Sequence, residues 1–172
     1  MLKLVGATMV VAASGFGGMA VAGSYSRRPK ELKSLRSALQ MLETEISYGA
    51  TRLPEALSQV ARRCDGMVSF LFSRAAAELS SMSGITAGEA WEKSLESYYP
   101  GTALKPRDFS ILRNLGANLG ISDKEDQIKH LRLAMDQIGL EVSGAEDEAA
   151  RNVKLWSYLG FLCGIMVVLV LY

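Results

Sequence analysis

The sequence is short of the residues from which most catalytic and metal centres are built. It holds one histidine and two cysteines in 172 residues. A single histidine, His130, excludes a multi-histidine zinc site and reads as a helix-surface or interhelix polar residue. Cys64 and Cys163 make no disulfide framework and read as small buried apolar side chains. No Gly-x4-Gly-Lys-Ser/Thr phosphate loop occurs, and the one glycine cluster, "GFGG" at 15–18, lies inside an uncharged run. An excess of one charge is missing too. Nineteen Lys and Arg face eighteen Asp and Glu, a net charge of +1, which gives no electrostatic footprint for nucleic acid. No stretch alternates convincingly with period two, so strands are not expected.

The acidic residues that remain make no obvious site. Glu43 and Glu45 stand two apart on a helical pattern, point to different faces and cannot cooperate as acid and base. "EDE" at 146–148 lacks the glycine-turned loop of a calcium site, and Asp147 with Arg151 has ordinary i,i+4 spacing. The chain is therefore not expected to be an enzyme. No cofactor, metal, nucleic acid or small-molecule substrate is expected either.

Long uncharged runs are present, one near each end. Leu4–Tyr25 spans 22 residues and Leu155–Tyr172 spans 18. At about 1.5 Å per residue each can cross a hydrocarbon layer about 30 Å thick, the second only just. The first could be a cleaved signal peptide, since "AVAGS" at 20–24 offers an Ala-x-Ala site. Its leading flank carries only Lys3, however. Its trailing flank carries Arg27, Arg28, Lys30, Lys33 and Arg36, which favours an uncleaved anchor with that side in the cytoplasm. Arg151 and Lys154 place the near end of the second run on the same side. The expected organisation is residues 1–26 as one transmembrane helix, 27–154 as a cytoplasmic domain and 155–172 as a second transmembrane helix, in contact with membrane lipid.

Between the runs the pattern is helical throughout. Leu32, Leu35, Leu39, Leu42 and Ile46 recur at steps of three and four, and Ile128, Leu131, Met135, Ile138 and Val142 repeat the rhythm. Shorter helices are expected from Pro54 (Ala56, Leu57, Val60, Ala61), over 67–82 (Val68, Leu71, Phe72, Ala75, Leu79, Met82), from Thr86 (Ala90, Trp91, Leu95, Tyr98) and from Pro106 (Phe109, Leu112, Leu115, Leu119). Gly49, Gly84 and Gly120 stand 35 and 36 residues apart at expected helix stops. Pro54, Thr86 with Glu89, and Ser122 with Glu125 supply helix starts. The fold expected is an all-α, six-helix bundle whose long first and last helices lie antiparallel. Two forms of the last helix remain open. It ends in "VSGAEDEAAR" (142–151), where Ser143 and Glu146 have cap spacing, or it runs unbroken into the membrane.

Small residues mark both apolar runs. Ser14, Gly18 and Ala22 follow a small-xxx-small pattern, and Gly160 and Gly164 form a GxxxG at matching depth. The two spans could meet there.

"LRSALQMLETEISYGATRLPEAL", "SGITAGEAWEKSL" and "LRNLGANLGISDKEDQIKHLRLAMDQI" resemble the cytoplasmic domains of inner-membrane platform proteins of type II secretion and type IV pili. That family carries a "GE-x-x-G" turn before its last helix. Here the stretch is Gly116-Ala117-Asn118-Leu119-Gly120, with Ala117 in place of the acid. Platform proteins usually carry two such domains and three spans, against one and two here. "MLKLVGA", "RRPKELKSLRSALQMLETEISYGATRLPEAL" and "GISDKEDQIKHL" are more closely similar to the stage III sporulation protein AB family of endospore-forming bacteria. That resemblance implies a scaffold in the mother-cell membrane facing the forespore, within a secretion-like complex. It also implies partners: a cytoplasmic secretion-type ATPase (stage III sporulation protein AA) and other membrane components of the sporulation channel. The 35-residue glycine spacing allows one rival, a tetratricopeptide-like membrane-anchored receptor. The Trp, Leu-Gly, Tyr and Pro positions of that repeat do not recur in register.

Overall fold

Several helix starts in the fold are made by residues that satisfy or dispense with free amides. The structure, a computed structural model, describes residues 25–48, 51–81, 84–120 and 123–171, without the side chains of 156, 157, 160, 161, 163–165 and 167–171. Its helices are α1 (Arg27–Tyr48), α2 (Leu53–Arg63), α3 (Gly66–Ser80), α4 (Ala87–Tyr98), α5 (Pro106–Asn118) and α6 (Lys124–Leu171), with a 3-10 turn at Tyr99–Gly101. No strand occurs among the described residues, so the fold is all-α. Pro54 sits in the first turn of α2, where its missing N–H costs nothing. At α4 the Thr86 hydroxyl accepts the Glu89 N–H at 3.3 Å, and the Glu89 carboxylate accepts the Thr86 N–H at 2.8 Å. At α6 the cap is one residue later than the Ser122–Glu125 spacing suggests. The Asp123 carboxylate accepts the Asp126 N–H at 2.9 Å, and the helix begins at Lys124. Asp caps as well as Ser does, so the second of two adjacent candidates takes the position. Ser122 itself, Gly49 and Met82 lie outside the described residues.

The chain divides into two compact units. One is Lys30–Val142; the other takes in Ser143 onward with the described residues up to Pro29. In the larger unit α2, α3, α4 and α5 pack in sequence order, each on the next. The first helix brings Leu32, Leu35, Ala38, Leu39 and Leu42 to complete burial. Fully burying one such leucine stabilises by about 1.5–3 kcal/mol. From α6 come Leu131, Ala134, Ile138 and Val142. Met135 and Ile46, expected in the seam, are only half-buried, because Ala134 takes the inward position beside Ile138. The largest buried side chains are Trp91, Tyr98 and Phe72, with Phe72 of α3 edge-on to Trp91 of α4 at 5.5 Å.

Two glycines are required by this packing. Gly116 does not form a turn, contrary to the Gly-rich turn expected at 116–120. It lies within α5, where an added Cβ would collide with the Trp91 ring, so the position is kept open by the indole. Gly120, with φ +76°, does turn the chain, and a Cβ there would also press on Ala87 at 2.6 Å. Gly84 has φ +71° just before the α4 cap.

The smaller unit settles the form of the last helix. α6 is continuous through 142–151, so Ser143 and Glu146 lie inside the helix and not at its end. Ala145 and Ala149 continue a buried stripe at helical spacing while Gly144 faces open space, so burial outweighs the helix penalty of one glycine. Arg28, almost wholly buried, reaches Glu148 at 3.6 Å within this unit. Among the described residues no helix is long and apolar enough to cross a membrane. Of the first expected span, residues 1–26, positions 1–24 lie outside them.

Candidate functional site

Several polar side chains buried in the larger unit hold its own backbone. The Trp91 indole N–H donates to the Leu112 carbonyl at 2.8 Å, which locks α4 to α5 beside Gly116. Ser94 donates to the Ala90 carbonyl at 2.7 Å. Asp108, 1% exposed, accepts the Lys105 N–H at 2.8 Å and caps α5. Glu31 of α1 accepts the Ala103 N–H at 2.7 Å and ties down the loop after the 3-10 turn. The Tyr98 hydroxyl is buried with no hydrogen-bond partner among the described residues. Burial, and then the nearby Glu31 carboxylate, push its pKa well above the usual tyrosine range. It therefore stays protonated and cannot serve as a base at neutral pH.

The titratable groups singled out in the sequence are kept apart. Glu43 pairs with Arg132 of α6 at 2.7 Å, and Glu45 pairs with Arg63 of α2 at 3.0 Å, so the two carboxylates serve different helices. His130 lines a small cleft with Ile46, Leu115, Leu119 and Gln127. The Cys64 thiol is raised above its ordinary pKa by burial and then by Asp65, the opposite of what a nucleophilic thiolate needs. Arg151 donates to the Asp147 carbonyl at 3.3 Å rather than to its carboxylate. Among the described residues no group of three or more His, Cys, Asp or Glu could hold a metal ion. Of the small-residue positions, Ser14, Gly18 and Ala22 lie outside the described residues. Gly160 and Gly164 lie on α6 where side-chain surroundings are not described.

What the larger unit offers outward is surface. α1 and α6 run antiparallel: Ser47 accepts from Lys124, Glu43 meets Arg132, and Arg36 lies over Gly139. Between them opens a groove of about 220 Å³ lined by Arg36, Gln40, Glu43, Arg132, Met135 and Asp136. Beyond it, Leu133 and Leu140 stand exposed one heptad apart on α6. On α3 the half-exposed Phe70 lies under the Arg74 guanidinium at 6.0 Å.

An all-helical unit with its polar interior used for packing is compatible with many roles, and comparison with known proteins narrows them. Residues 3–172 match the family described as stage III sporulation protein AB. The chain belongs to the stage III sporulation protein AB family. A relative from Bacillus subtilis (strain 168), named stage III sporulation protein AB, is 39% identical over 171 residues, covering 99% of each chain. A solved structure of a stage III sporulation protein AB superposes with a TM-score of 0.68 at 37% identity, covering 72% of this chain and 97% of that one. Membership of the stage III sporulation protein AB family makes this a sporulation protein.

Several of the positions that matter are silent in sequence. Glu31 reaches a loop 72 residues away, and nothing near it signals that. The Lys105–Asp108 cap could have been found, since Pro106 and an acid at the third helical position are helix-start signals. Gly139 inside a helical pattern was likewise a visible irregularity.

Proposed function

We propose that this chain is a non-enzymatic, membrane-anchored adaptor in the sporulation apparatus, presenting its helical domain to a cytoplasmic secretion-type ATPase. The observation that carries the reading is the allocation of polar groups. Glu31, Asp108, Ser94 and Trp91 bind the fold's own backbone, while the outward charges of α1 and α6 line an open groove. Such a division suits recognition of a protein surface. Two uncharged runs flanked by Arg27, Arg28, Arg151 and Lys154 support anchoring at both ends, with residues 27–154 on the cytoplasmic side of the mother-cell membrane. The ATPase, the stage III sporulation protein AA, and other membrane components of the channel enter as partners by analogy with secretion platforms.

In this reading the two spans pack through Ser14, Gly18 and Ala22 against Gly160 and Gly164. Lipid is as apolar as leucine, so association inside the bilayer depends on close backbone approach at small residues. Cysteines placed at 18 and 160 should cross-link within one chain; cross-links only between chains would assign these faces to oligomers. Purified full-length chain should bind the ATPase and hydrolyse no ATP itself. Robust hydrolysis by the chain alone would overturn the adaptor reading.

A further inference from the structure

We infer that the α1–α6 groove docks a helix of a partner protein through a two-charge code, with Arg36 receiving a carboxylate and Asp136 receiving a cation. This rests on the adaptor reading above and names the surface it would use.

The groove contains four charges, and only two of them satisfy each other. Glu43 and Arg132 close one end with a 2.7 Å ion pair. Arg36 and Asp136 are both exposed, and neither side chain has an ion-pair or hydrogen-bond partner among the described residues. Arg36 does not simply trail into solvent. Its guanidinium lies beside Gly139 of α6, where an added Cβ would meet Cζ at an ordinary 3.5 Å. A planar guanidinium whose N–H edges are unbonded suits capture of a carboxylate.

The spacing of the two free charges fits a helix. Arg36 is level with Gly139, three residues beyond Asp136, which separates them by about 4.5 Å along the helix axes. Side chains three or four residues apart on one helix face lie about 5–6 Å from each other. A partner helix lying along the groove, with an acid and a base one turn apart, therefore meets both charges at once. Its intervening aliphatic surface rests on Gln40 and on Met135, whose flexible thioether adapts to the shape it meets. A purely acidic or purely basic segment would satisfy one charge and be repelled by the other, so the groove selects for the alternation.

The test uses full-length chain in detergent micelles and the purified stage III sporulation protein AA as probe. Binding is compared for the wild type, Arg36→Glu, Asp136→Lys and the groove-filling Gln40→Trp. Arg52→Glu and Arg62→Glu are the controls, since both arginines are exposed and lie outside the groove. Unchanged circular dichroism melts confirm that each variant folds. Each groove variant should weaken binding at least about tenfold, and the controls should stay within about twofold. Groove variants that bind like the controls overturn the inference while leaving the adaptor reading intact. If wild-type chain does not bind this ATPase, that partner assignment falls, and spore formation decides for the groove. In cells with this chain as their only copy, sporulation lost with Arg36→Glu and Gln40→Trp but kept with Arg62→Glu supports it. Normal sporulation by the groove variants overturns it.

Discussion

Replacing Gly116 by alanine is the sharpest probe of the packing that shapes the domain. Elsewhere in a helix the change helps, since glycine is about 0.8–1.0 kcal/mol less favourable than alanine. At Gly116 the new methyl would overlap the Trp91 ring, with Cγ at 3.0 Å and Nε1 at 3.1 Å adding to the closest clash. The indole has nowhere to go. It is 1% exposed, edge-on to Phe72, and bonded to the Leu112 carbonyl. Overpacking of this kind costs about 1–3 kcal/mol, and displacing the indole N–H from its acceptor adds about 1–3 kcal/mol more. Set against the propensity gain, Gly116→Ala should destabilise the domain by about 1–5 kcal/mol. Gly139→Ala is the matched control: its Cβ would meet Arg36 at an ordinary 3.5 Å, so stability should rise by up to about 1 kcal/mol. A fragment of residues 29–143 contains Trp91 as its only tryptophan. Urea unfolding followed by its fluorescence reads both variants. Gly116→Ala as stable as the parent, or Gly139→Ala more damaging than it, would refute the close-approach argument.

Other perturbations test separate parts of the account. The 29–143 fragment should fold alone as a helical bundle, and Leu42→Ala should cost it about 2–5 kcal/mol by denaturant titration, since Leu42 is completely buried. Circular dichroism showing substantial strand would count against the bundle. Thr86→Ala should remove the α4 cap at a cost of about 0.5–2 kcal/mol. Glu89 sits in that cap, and its hydrogen bonds to the Thr86 backbone and side chain lower its pKa below the ordinary 4.5. A lowered folded-state pKa means its contribution is present above pH 4.5 and is lost as pH falls through the folded value. Glu89→Gln should therefore flatten the acid limb of the pH–stability curve; an unchanged limb would contradict the cap's role. For topology, cysteine-directed labelling from outside the cell should miss positions in 27–154 and reach a carboxyl-terminal tag. Protection of that tag would remove the two-span arrangement.

The sequence displayed this fold where local chemistry decides and hid it where distant neighbours do. The Leu32–Leu42 seam was visible because its three-and-four spacing is the helix's own period, and it is buried as that spacing predicts. Thr86 and Glu89 were visible because a capping box needs only four residues. Gly116 was misread as a turn because a glycine inside a helix is explained only by Trp91, 25 residues earlier and on another helix. Met135 was placed in the core because the three-and-four pattern admits either it or Ala134 as the inward residue, and it is Ala134 that is buried. At 142–151 the cap spacing and the continuing alanine stripe were both present, and burial of Ala145 and Ala149 outweighed the cap. The groove had no local signature, since its two walls lie about a hundred residues apart in the chain.

The central claim is that the helical domain is a docking platform for a secretion-type ATPase. Immobilised 29–143 fragment offered purified stage III sporulation protein AA tests it most directly. Saturable retention of the ATPase, insensitive to removal of both apolar runs, is the result the account predicts. Failure of the folded fragment and of the full-length chain alike to retain the ATPase would contradict it.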